Sequence, residues 1–265
     1  MAPHWVFYVT AAALGAILGS FLNVLIYRGP VFWNLVDAET RGNLVFPSSY
    51  CPSCRTPVGA LHLIPLASYF MLKGKCAGCR APIPLRYPLV EFAGVLAGIA
   101  ALALFGLTLN AGAAFVFFLF LISLGVIDAE TGFLPDALTL PLVALGIIVN
   151  ALDLLNSAPG AAVLGAIIGY GAFRLVDMIF LRLRGIEGLG QGDAKLLAAF
   201  GAWFGWPVLP SIVFLAAIMA LIGVGIAAWG GAKIGRETPV PFGPALAAAG
   251  AAAMIGHGLN LPYFS

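Results

Sequence analysis

The sequence predicts an all-α polytopic membrane protein, with about eight transmembrane helices and a small cysteine-bearing cytoplasmic loop domain. Three observations carry this. Charged residues make up 9% of the 265 against 62% hydrophobic, with a mean hydropathy of +1.03; a soluble domain carries about a quarter. Two uncharged runs, Phe92 to Ile127 and Leu196 to Ala232, are each close to twice the ~20 residues that one helix needs to cross a bilayer. One sizeable hydrophilic stretch remains, Arg28 to Arg86, and it holds all four cysteines.

Gly and Pro breaks divide the chain into candidate spans at about 5–27, 88–105, 111–127, 137–155, 159–181, 194–206, 208–230 and 241–260. The first lacks a basic leader region and an Ala-x-Ala cleavage site, so it reads as a retained helix rather than a signal peptide. The sixth is short and ends at Trp206-Pro207, which suits a tilted or partial crossing. The eighth is rich in Ala and Gly, as closely packed membrane helices often are. No internal repeat is expected. The organisation is a first helix (1–27), a cytoplasmic loop domain (28–86) and a transmembrane core (87–265).

Lys and Arg orient these spans, because cytoplasmic loops retain positive charge. With the N-terminus outside, seven of the thirteen basic residues fall in the inner 28–86 loop. Arg182, Arg184, Lys195, Lys233 and Arg236 fall on the same side, and the outer connections hold none. Arg174 sits within a span, near enough its inner end to snorkel. The distribution predicts a multi-pass membrane protein with its N-terminus outside and its working face toward the cytoplasm. Basic residues are few and not interleaved with aromatics, so no nucleic-acid partner is expected.

The cysteines form two knuckles, Cys51-x-x-Cys54 and Cys76-x-x-Cys79, with 21 residues between them. Four thiolates at this spacing suit a closed, structural Zn²⁺ site, and a disulfide reading is disfavoured in a reducing cytoplasm. A loop of under 60 residues has too small a core to fold easily unaided, so the metal is expected to organise it.

Asp128 ends the third span and Asp193 opens the sixth. Spans four and five run out and back between them, which returns both to one membrane face although they lie 65 positions apart. Acids in or beside spans are costly and mark function. Two carboxylates at one depth can share a proton, one activating water while the other hydrogen-bonds a scissile carbonyl. The alternative is that both are helix-end caps. Asp136, after Pro135, is expected to cap the fourth span; Arg174 and Asp177 are expected to pair along one face. Glu91, near the start of the second span, suits either a site or a helix N-terminus. His4, His62 and His257 form no His-Glu-x-x-His motif, and no Ser lies in a Gly-x-Ser-x-Gly elbow.

The ordered motifs resemble the type IV prepilin peptidases, the prepilin leader peptidase/N-methyltransferases. Gly19-Ser-Phe-Leu-Asn-Val24 with Tyr27-Arg28 is similar to that family's first helix. Cys51-x-x-Cys54, Ile64-Pro-Leu-Ala-Ser-Tyr69, Leu72-Lys-Gly-Lys-Cys76 and Tyr87-Pro-Leu-Val-Glu91 are similar to its cytoplasmic domain. Ile127-Asp128, Leu134 to Pro141, the Gly-x-Gly-Asp motif Gly190-Gln-Gly192-Asp193-Ala-Lys195, and Pro241-Phe-Gly-Pro244 complete the set. Leu63 and Phe92 stand where the family commonly has Asn and Leu.

The resemblance implies a membrane aspartic endopeptidase with Asp128 and Asp193 as its catalytic pair, supported by Gly190, Gly192 and Lys195. Its substrates would be type IV prepilins or type II secretion pseudopilins. It also implies N-methylation of the new N-terminus from S-adenosylmethionine, with Lys73, Gly74 and Glu91 as candidate residues. No nucleotide-binding Gly-rich fingerprint is present, so a donor site would be built by loop and helix ends together. A peptidase without the second activity, a proton-relaying transporter and a zinc-dependent assembly scaffold are the competing readings.

Overall fold

The computed structural model describes residues 3–38, 41–155, 158–185, 190–231 and 241–261. The α-helices among them are α1 His4–Phe32, α2 Ala67–Met71, α3 Arg86–Phe105, α4 Leu109–Thr131, α5 Asp136–Ala151, α6 Pro159–Arg184, α7 Gln191–Phe204, α8 Leu209–Trp229 and α9 Gly243–Gly258. Ala60–Leu63 and Trp206–Val208 are short 3-10 turns. No strand occurs among the described residues; Tyr50–Pro57 and Lys75–Pro82 form isolated bridges.

Each expected span contains a helix, although α5 ends at Ala151 where 155 was expected and α9 covers Gly243–Gly258 of the expected 241–260. Five helices have the length and composition to cross a membrane: His4–Phe32, Arg86–Phe105, Leu109–Thr131, Pro159–Leu183 and Trp206–Trp229. α5, α7 and α9 have 16, 14 and 16 residues. At 1.5 Å per residue these rise about 21–24 Å, short of a hydrocarbon core of about 30 Å. On α8, Phe214, Leu221, Ile222 and Ile226 point outward and Trp229 is 92% exposed, as lipid rather than water would favour.

The chain divides into two compact units, Met1–Ser123 and Leu124–Ser265. In the first, α1 lies against α3 through glycines: a Cβ on Gly15 would stand 2.2 Å from the Gly94 carbonyl oxygen. Without a hydrophobic drive between helices in lipid, such close approach supplies the packing. Buried Asn23 adds a bond from Nδ2 to the Tyr87 carbonyl at 3.0 Å. α1 runs past the expected end at Tyr27, carrying Pro30 within it. Arg28, read above as a loop charge, is buried there. Its Nη1 donates to the Asn43 carbonyl at 2.9 Å, and its guanidinium lies 5.7 Å from the Tyr50 ring. The residue thus ties the following segment to the helix end.

α7 is the centre of the second unit. Every residue from Asp193 to Phe204 except Lys195 is buried. α6 meets it at Gly201, where a Cβ would stand 2.0 Å from the Gly165 carbonyl oxygen. α5 meets it through side-chain amide and indole bonds. Asn150 Nδ2 donates to the carbonyls of Ala202 and Trp203 at 2.9 and 3.0 Å, and Trp203 Nε1 donates to that of Leu142 at 2.8 Å. Protein therefore covers this short helix on its sides, and its neighbours set the position of its first turn.

Candidate active site and metal centre

Asp128 lies in the last turn of α4 and Asp193 is the third residue of α7; they are 5% and 9% exposed. Asp128 is close enough to act electrostatically on Asp193. One oxygen of Asp128, Oδ2, accepts a hydrogen bond from the Gly243 backbone N–H at 2.9 Å. Asp193 Oδ1 is buried without a hydrogen-bond partner. Two enclosed carboxylates near one another, with one oxygen anchored and one unmatched, can divide a single proton and present it to a polar substrate group.

Asp128 does not bond the amides of its own turn, whereas the Asp193 carboxylate reaches back to the backbone of Gly190, the residue that precedes α7. The N-cap of α7 is Gly190, which has no side chain to cap with; the amide on Asp128 comes from 115 residues away. Gly192 allows the approach of the segment after α4, since a Cβ there would stand 2.7 Å from Leu134 Cβ. The cap expected of Asp136 is also not made. Its Oδ1 instead accepts from Lys195 Nζ, because the first turn of α7 brings an ammonium beside it. Arg174 and Asp177 pair at 3.0 Å, as their spacing predicted. Gly188 and Leu189 before the motif, and the connection bearing Lys233 and Arg236, lie outside the described residues.

The residue not singled out from the sequence is Gly243. A Cβ there would stand 2.5 Å from Asp128 Oδ2. Pro241-Phe-Gly-Pro244 was the available signal, but a backbone N–H is common to almost every residue and nothing local marks one as a ligand of a distant acid.

The four cysteine Sγ atoms lie within 4.8 Å of one another, with Cys51–Cys79 at 3.8 Å and Cys54–Cys76 at 3.9 Å. Sulfurs around a tetrahedral ion with bonds of about 2.3 Å would be about 3.8 Å apart, so the set can hold a metal ion. The knuckles are near-copies, Cys51-Pro-Ser-Cys-Arg-Thr-Pro57 and Cys76-Ala-Gly-Cys-Arg-Ala-Pro82. In both, the Arg after the second Cys has a positive φ, 56° at Arg55 and 62° at Arg80, and a bridge to the terminal Pro closes the turn. This short repeat was visible in the sequence, contrary to the expectation of none. The Thr56 hydroxyl, 3.2 Å from Cys54 Sγ, and the Thr56 backbone bond lower the Cys54 thiol to about 6, while the Cys79 thiol, despite its bond to the Ala81 backbone, is pushed up to about 11 by the neighbouring cysteines.

Glu91 is buried in α3, and its Oε2 accepts from the Leu66 N–H at 2.7 Å. Leu66 has φ 62° and ψ −53°, and the Ala67 N–H reaches the Pro65 carbonyl at 2.6 Å, forming a γ-turn of the rare, strained hand. Glu91 thus holds the entry to α2. Lys73 and Gly74, with φ of 52° and 67°, form the exit from α2 toward the second knuckle.

Residues 13–105 match the Bacterial Peptidase A24 N-terminal domain, and residues 115–225 match the Type IV leader peptidase family. The chain belongs to the type IV leader peptidase family. Its relatives include prepilin leader peptidase/N-methyltransferases. That of Burkholderia pseudomallei strain 1026b is 45% identical over 261 residues, spanning 92% of this chain and 84% of the relative. That of Neisseria gonorrhoeae is 42% identical over 263 residues, spanning 91% and 87%. That of Pseudomonas aeruginosa PAO1 is 41% identical over 265 residues, spanning 94% and 90%. The first family match includes the four cysteines and Glu91, and the second includes Asp128 and Asp193. No solved structure matches the chain.

Proposed function

We propose that this protein is a membrane aspartic endopeptidase that removes the basic leader of type IV prepilins or type II secretion pseudopilins and then N-methylates the new N-terminus. The observation that carries the peptidase half is that Asp128 and Asp193 are both enclosed within the second unit and lie within electrostatic reach of one another. The ionised member takes a proton from water as its oxygen attacks the scissile carbonyl carbon. The protonated member gives its proton to the carbonyl oxygen. Collapse of the tetrahedral species breaks the C–N bond, and the leaving nitrogen is protonated from the dyad. The one-sided distribution of Lys and Arg along the sequence favours the cytoplasm as the side on which leaders are met.

The cysteine set suits Zn²⁺, which would organise residues 51–82 and leave no open position for chemistry. S-adenosylmethionine supplies the methyl group when bound. Lys73, Gly74 and Glu91 remain the proposed residues of that activity. The buried carboxylate acts by holding the Pro65–Ala67 turn, and the positive-φ glycine by shaping the exit from α2.

The test is mass spectrometry of a candidate pilin N-terminus, produced with and without this protein and with S-adenosylmethionine. An uncleaved leader in both samples overturns the proposal. Cleavage without the 14 Da gain of a methyl group reduces it to a peptidase.

A further inference from the structure

Asp128 belongs to α4, yet the group that holds its carboxylate belongs to α9. Gly243 is the first residue of α9 and is fully within the buried part of the unit. Its amide donates to Asp128 Oδ2 at 2.9 Å, and its own α-carbon leaves no room for a side chain, since a Cβ would stand 2.5 Å from Oδ2 and 2.7 Å from Cγ.

The position of that amide is itself set by two contacts further along the helix. One turn on, the Ala247 side chain lies against α4, 3.3 Å from where a Cβ on Gly125 would be. Two turns on, Gly250 accepts the Phe200 ring of α7, 2.4 Å from where its own Cβ would be. Ala247 and Ala253 are buried on the same helix. α9 thus meets the helix that bears Asp128 and the helix that bears Asp193, and ends in a donor aimed at the first of them.

We infer that Gly243 is a positioning residue of the peptidase site, whose backbone N–H fixes Asp128 through Oδ2. With Oδ2 anchored, Asp128 can turn only its other oxygen to the reacting groups. Asp193 Oδ1, buried and without a partner, is the atom left to meet the scissile carbonyl or the attacking water. An acid held this way loses no time in rotamer search, and misplacement of about 1 Å at such a group costs about 100-fold in rate. The inference rests on the peptidase reading above and adds to it a third element, beyond the two that carry the acids.

The experiment uses the full-length protein in lipid nanodiscs with a prepilin substrate. Gly243→Ala keeps the amide but drives a methyl group into Asp128. Incorporation of glycolic acid at position 243 replaces the amide by an ester, removing the N–H without adding a side chain. Gly223→Ala on α8, where a Cβ meets nothing within 4 Å, is the matched control. Both changes at 243 are expected to lower kcat by at least about tenfold with KM within about twofold. The control keeps both constants, and the ester variant stays folded at the assay temperature, its thermal unfolding lowered by no more than one lost hydrogen bond explains. Wild-type kcat in the ester variant overturns the inference, as does a loss at 243 carried wholly by KM. If wild-type protein fails to cleave, or Asp128→Asn cleaves normally, it is the peptidase reading that falls.

Discussion

Lys195 of α7 donates to Asp136 of α5, joining the helix that carries Asp193 to the start of its neighbour, although the two residues are 59 apart in the chain. Lys195 lies only two positions beyond Asp193, so the pair braces the first turn of α7. Its side chains are 23% and 57% exposed, which limits its strength; exposed pairs contribute about 0.2–1 kcal/mol. Lys195→Ala should therefore lower leader cleavage by about 2–5-fold and leave expression intact. The reversal Asp136→Lys with Lys195→Asp should recover most of the loss. A hundredfold loss without recovery on reversal would mean that Lys195 contacts the substrate itself.

Asp128→Asn and Asp193→Asn should each lower cleavage by at least about 100-fold, the scale of a missing general acid or base. Both variants should accumulate in the membrane, since an amide is nearly the shape of the carboxylate it replaces. Normal processing by either purified variant would remove the dyad from the mechanism.

The purified protein should carry one zinc per chain, read by elemental analysis. Cys76→Ser and Cys54→Ser should each lower that content and speed limited proteolysis between residues 28 and 86, because a tetrahedral site with three thiolates holds its ion less tightly. Full occupancy in Cys76→Ser would count against a four-cysteine site.

Glu91→Gln and Glu91→Ala separate a structural carboxylate from a chemical one. Gln keeps a carbonyl oxygen for the Leu66 amide, whereas Ala leaves that donor without its partner, at a cost of about 1–3 kcal/mol. Methylation of a processed pilin should fall further in the Ala variant than in Gln, with cleavage affected less in both. Gly74→Val, at a φ of 67°, should behave like Glu91→Ala. Equal losses for Gln and Ala would assign the charge itself to the methyl transfer.

How much could be read in advance varied with the kind of residue. Asp128 and Asp193 stood out because a carboxylate near a membrane span is costly, so its presence asks for a reason. The cysteines stood out because few patterns other than a metal site use two Cys-x-x-Cys turns. Arg28 and Asp136 were misread for a common reason. A charged residue beside a loop looks like a surface anchor or a cap, and only the fold shows that Asn43 and Tyr50 cover the first and that Lys195 reaches the second.

The sequence by itself determined the membrane class, the helical segments, the candidate acids and the cysteine set that can hold a metal ion, since each depends on residue type and local spacing. The tertiary structure alone decided that α7, too short to span unaided, is covered on its sides by α5 and α6, and that the amide on Asp128 is that of Gly243. Both depend on which backbone atoms approach across helices, where glycines admit contacts that any side chain would block. A backbone N–H carries no identity in the sequence, so its partner is settled only when the helices pack.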